Sequence, residues 1–61
     1  MPEIMVFAAT GRTTEQKRGL ARDLTEAMVK NFGVAAESVT VQIIESPRDS
    51  KAKGGILFCD R

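Results

Sequence analysis

Two residues near the start of the chain carry groups that could do acid-base chemistry, Pro2 and Arg12. A small residue in second position permits removal of the initiator methionine, and Pro2 then opens the chain with a free secondary amine. That amine is both a base and a nucleophile. With Met1 attached, the same nitrogen is a tertiary amide with no proton to exchange, so the chemistry depends on one cleavage. An exposed α-amino group titrates near pH ~8, and burial or a nearby cation favours its neutral form. A neutral amine is what a general base needs. Arg12 offers a planar fork matched to a carboxylate and holds its charge at any working pH. It stands just before a helix start, where the dipole disfavours a cation, which points to a role other than helix stability. Each residue also has an ordinary reading: proline is common in second position, and Arg12 would serve as a surface charge.

The elements that position these residues follow from the spacing of apolar side chains. Residues 2–9 are expected to form a strand, with Ile4, Val6 and Ala8 on one face and Met5, Phe7 and Ala9 on the other. Two apolar faces require cover on both sides. Thr10-Gly11-Arg12 is a turn, and Thr13 with Gln16 fits a capping box that opens a helix over 14–32. Leu20, Leu24, Ala27, Met28 and Phe32 recur at three- and four-residue spacing and draw one apolar stripe, while Arg22 and Glu26 are set to pair at four residues' distance. Gly33 stands where a left-handed helix stop is wanted. A turn over 34–37 leads to a second strand over 38–45, in which Val39, Val41 and Ile43 alternate with Thr40, Gln42 and Ile44. Strand, helix and strand over this length imply a crossover with parallel strands. After a loop at 46–50, Gly54-Gly55 reads as a turn before the short apolar run Ile56–Cys59. The glycine pair could also suggest a phosphate cradle, but no Gly-Lys-Ser/Thr signature or following helix accompanies it.

The fold class is therefore α/β, one β-α-β unit in a single domain over residues 1–61. A chain this short buries only about 60% of its unfolded surface. Cys59 is the only cysteine and histidine is absent, so neither a disulfide nor a metal cluster is expected to compensate. With 43% apolar residues, the missing core is expected from other subunits. Nine basic and eight acidic residues, mixed along the chain to a net charge of +1, argue against a nucleic-acid binder. No run approaches the ~20 apolar residues of a membrane span, and no signal-peptide pattern opens the chain. The expectation is a cytoplasmic protein with no cofactor and no metal.

The composite Pro2, eight intervening residues, then Gly11-Arg12-Thr13-Thr14-Glu15-Gln16-Lys17 resembles the start of the 4-oxalocrotonate tautomerase family. The similarity continues through the helix to the second strand and Gly54-Gly55. The resemblance implies a β-α-β chain with a short C-terminal hairpin that docks on a neighbouring subunit, in a homo-oligomer such as a hexamer or a hetero-oligomer with a related subunit. It implies that Pro2 is the catalytic base, that Arg12 binds the carboxylate of a small-molecule substrate in a neighbour's site, and that a proton is moved within a 2-oxo or 2-hydroxy-dienoate or enolpyruvate-type acid. Two positions depart from the family. A second arginine on the second strand falls on Thr40, and an aromatic residue ahead of the glycine pair falls on Lys51. Thr40 and Lys51 are thus candidate substrate-binding positions, with the Lys51 ammonium a replacement cation. The departures leave room for a rival: a catalytically silent or half-site subunit completed by a partner, or a β-α-β oligomerisation module without chemistry.

Overall fold

The computed structural model describes residues 2–61; Met1, whose removal would free the Pro2 amine, lies outside them. Strand β1 (Glu3–Ala9) leads to helix α1 (Thr14–Phe32) and strand β2 (Thr40–Ser46), followed by the strands β3 (Ala52–Lys53) and β4 (Ile56–Leu57). β1 and β2 are parallel, with Ile4 opposite Val41, Val6 opposite Ile43 and Ala8 opposite Glu45. β3 and β4 form a separate antiparallel hairpin. The expected β-α-β unit with a C-terminal hairpin is present.

Local chemistry sets the boundaries. The Thr13 Oγ1 accepts from the Gln16 amide at 3.1 Å and the Gln16 Oε1 accepts from the Thr13 amide at 3.0 Å, so the expected capping box opens α1. Gly33 closes it in the left-handed region (φ 69°), its N–H donating to Val29 O at 3.1 Å. The second strand starts two residues later than the expected 38–45. Ala36–Ser38 first forms a single 3₁₀ turn, in which the Ser38 amide and hydroxyl both donate to Ala35 O. The run Ile56–Cys59 is likewise only half strand, because Phe58–Asp60 turns into a 3₁₀ helix closed by the Arg61 amide on Phe58 O. Arg22 lies 3.9 Å from Asp23 rather than pairing with Glu26. Its side chain is 70% exposed, where exchange between neighbouring partners costs little.

None of the described residues is fully buried. In β1, Ile4, Val6 and Ala8 are half-buried against the helix side, while Met5 and Phe7 stand 55% and 69% exposed on the other face. The helix stripe is divided too. Leu24 and Met28 turn inward with Lys17, Ala21 and Thr25, whereas Leu20, Ala27 and Phe32 are exposed. A two-stranded sheet is too narrow to cover the stripe that periodicity draws. The accessible surface of 4771 Å² exceeds the about 3,900 Å² typical of a compact monomer of this mass. The radius of gyration, 14.7 Å against about 10.5 Å, says the same.

Placing a charge on the exposed face of β1 should therefore break assembly, and with it the packing that supports the helix. Phe7→Asp is expected to sediment as a smaller species with reduced helical circular dichroism. Thr13→Ala, which removes one half of the capping box, should lower stability by about 1 kcal/mol in denaturant titration.

Candidate functional site

Parallel pairing gives the sheet two unlike ends, and the candidate residues divide between them. At the end where β1 and β2 begin, Pro2 O accepts from the Thr40 amide at 3.1 Å. Glu3 is the pairing partner of Thr40, so Pro2 and the exposed Thr40 side chain share this edge. Pro2 itself is half-buried. Its position is fixed by a regular sheet rather than by a loop.

At the opposite end, Thr10 N–H donates to Ser46 O at 3.2 Å, and the chain then enters Gly11-Arg12. Gly11 has φ 120°, a conformation open to glycine, and nothing lies near the space a side chain would take there. The glycine therefore serves the turn's backbone, which delivers Arg12 to the surface just ahead of the Thr13 cap. The Lys17–Glu45 ion pair, with both side chains largely covered, joins the first turns of α1 to the end of β2 and steadies this connection. Arg12 is exposed, and among the described residues it makes no hydrogen bond or ion pair. β1 spans seven residues, about 23 Å at ~3.3 Å each. Pro2 and Arg12 of one protomer are thus too far apart to act on one small molecule.

Lys51 lies beyond the Arg12 end, after the 3₁₀ turn Arg48–Ser50. Its ammonium stands 5.5 Å from the centroid of the Phe58 ring, within cation-π range. The two residues are also joined through the backbone, the Phe58 amide donating to Lys51 O at 2.8 Å. Phe58 is a functional candidate that the sequence reading missed, although a signal for it existed. Gly54 and Gly55, at φ 63° and 81°, form a two-residue turn. Such a turn pairs Ala52 with Leu57 and Lys53 with Ile56, and continuing the count sets Lys51 opposite Phe58. The structure therefore groups Pro2 with Thr40, and Lys51 with Phe58, and leaves Arg12 apart from Pro2.

A half-buried proline at the head of a two-stranded parallel sheet, an arginine after the first strand that is unpaired among the described residues, and a C-terminal hairpin define a small β-α-β chain of the tautomerase class. Residues 2–61 match the family model described as tautomerase enzyme, and the chain belongs to that family. A probable tautomerase of Bradyrhizobium diazoefficiens is 56% identical over 61 residues, covering 100% of this chain and 91% of that protein. The crystal structure of a 4-oxalocrotonate tautomerase homologue superposes with a TM-score of 0.93 at 41% identity, covering 100% and 97% of the two chains. A heterohexamer 4-oxalocrotonate tautomerase from Chloroflexus aurantiacus gives 0.88 at 35% identity, with 98% and 97% covered. The chain is an isomerase of the 4-oxalocrotonate tautomerase type.

Because Arg12 is exposed and makes no hydrogen bond or ion pair among the described residues of its own chain, Arg12→Ala should change folding stability by no more than about 0.5 kcal/mol. Chemical denaturation of the substituted and unsubstituted proteins at equal concentration checks this.

Proposed function

We propose that this isomerase moves a proton within a 2-oxo or 2-hydroxy-dienoate or enolpyruvate-type acid, with Pro2 as the base and Arg12 of a neighbouring protomer as the carboxylate-binding cation. After loss of Met1, the Pro2 lone pair takes a proton from an enol or an activated carbon. The double bonds shift along the conjugated system, and the same amine returns the proton at another position. No oxidation state changes, and the atoms balance without a co-reactant. Arg12 pairs with the carboxylate by two parallel hydrogen bonds and draws charge toward it as the dienolate develops. Thr40, on the edge beside Pro2, offers a hydroxyl, and Lys51 offers a further cation when its hairpin reaches a neighbour.

The observation that carries this reading is the separation of a half-buried Pro2 and an unpartnered Arg12 by the length of β1. An assembly that brings one protomer's Arg12 end to another's Pro2 end removes that separation and covers Met5 and Phe7. A homo-oligomer such as a hexamer would do both. Thr40 favours a second reading, a half-site subunit that needs a related chain for full activity, since no guanidinium stands on that edge of β2. The heterohexamer from Chloroflexus aurantiacus gives that reading a precedent among relatives.

Proton exchange on a simple enolpyruvate, followed with protein whose intact mass shows Met1 absent, tests the proposal. Pro2→Ala should lower kcat/KM by about 10²- to 10⁴-fold, and protein retaining Met1 should be inactive. Arg12→Ala should lower kcat/KM by about 10²-fold, with KM raised. The rate should fall as pH drops through the amine's pKa, because the protonated amine cannot accept a proton. Activity unaffected by Pro2→Ala would overturn the assignment of the base. Activity that appears only on adding a second, related chain would favour the half-site reading.

A further inference from the structure

The edge that holds Pro2 carries one more chemical group, the carboxylate of Glu3. Adjacent Cα atoms are about 3.8 Å apart, so this carboxylate stays near the amine whichever rotamer it adopts. Glu3 opens β1 and is the only charged residue of the strand, whose remaining positions, Ile4–Ala9, are all apolar. Glutamate is a poor strand former, so sheet propensity does not account for it there. In the register of the sheet it faces Thr40, and paired residues of neighbouring strands project to the same side about 4.8 Å apart. Both residues are exposed, on the face that also carries Met5 and Phe7.

Met5 and Phe7 call for cover from another subunit, and a carboxylate taken into the same contact would be costly to bury. Glu3 escapes that cost where the cover stops short and leaves a cavity. On the proposed reading the edge beside Pro2 is such a place, since a substrate has to enter it. A substrate held at its carboxylate by a neighbour's Arg12 extends its conjugated chain past the amine, and the part beyond the amine meets Glu3 and Thr40. The Thr40 hydroxyl can donate or accept there. The Glu3 carboxylate repels a second carboxylate. Selectivity is a difference of affinities, and a group that disfavours the wrong ligand creates it as well as one that favours the right ligand.

We propose that Glu3 is a specificity-determining residue: with Thr40 it makes the Pro2 edge accept an uncharged, hydrogen-bonding substrate terminus and reject a second carboxylate, so that the acid isomerised is a monocarboxylate. This specificity rests on the site assigned above to Pro2 and a neighbour's Arg12, and fixes the charge of the substrate's far end.

Initial rates with 2-hydroxypenta-2,4-dienoate and with its dicarboxylate counterpart, 2-hydroxyhexa-2,4-dienedioate, test the proposal on the assembled protein freed of Met1. The ratio of kcat/KM should favour the monocarboxylate by about tenfold or more, and Glu3→Gln should narrow that ratio by about tenfold. Glu3→Asp keeps the charge and should keep the preference. Calorimetric titration with the unreactive pair pentanoate and pentanedioate repeats the comparison without turnover. Pentanoate should bind more tightly, Glu3→Gln should raise pentanedioate relative to it, and added sodium chloride should shrink the difference. Turnover insensitive to Pro2→Ala with this binding preference intact would count against the base while supporting the specificity. Equal use of the two acids, a preference for the dicarboxylates, or ratios that Glu3→Gln leaves unmoved would overturn it. An equal fall with both acids in Glu3→Gln would mark Glu3 as a support for a neighbour's Arg12, and would overturn it too.

Discussion

A seven-residue strand keeps Pro2 and Arg12 at opposite ends of the sheet, and most of what this chain is follows from that separation. The strand cannot bend the two together, because parallel pairing with β2 holds it extended from Glu3 to Ala9. What one end holds, a carbonyl-anchored proline in a half-buried setting, lacks a guanidinium. What the other end holds, a guanidinium without a partner among the described residues, lies a strand's length from Pro2.

The packing is incomplete in the same way as the chemistry. Helix α1 covers one face of β1 and β2, and the other face leaves Met5 and Phe7 open. Leu20 and Phe32 remain outside on the helix. The hairpin packs on the two 3₁₀ turns that flank it rather than on the sheet, and the molecule extends to 43 Å in its longest dimension. Burying these surfaces against other subunits supplies the apolar contact that a small chain without a disulfide cannot make within itself.

Much of this was legible in the order of residues. Thr13 and Gln16 announce the helix start, Gly33 its end, and the unbroken apolar run Ile4–Ala9 the two-sided strand, because each signal acts within a few residues of itself. The start of β2 was not legible, since Ser38 has to choose between continuing a strand and closing a turn on Ala35 O. The helix stripe was read as one face, yet only a sheet's width decides which of its members find cover. At the candidate site, Pro2 and Arg12 stand out by residue type and spacing. Phe58 does not, because its meeting with Lys51 appears only when the hairpin is folded on itself and its register counted back from Gly54-Gly55.

The placement of Pro2 and Arg12 on opposite ends also bears on how such a gene can diverge. On the proposed reading every active centre is assembled from unlike contributions of two chains, so a copy that has lost its amine can still complete another's pocket, and a copy that has lost its arginine can still be completed. After duplication, each paralogue is free to decay at the end the other maintains. Complementary degeneration of that kind converts a symmetric ring of identical chains into an obligate pair of specialised ones, with no new catalytic group having to arise.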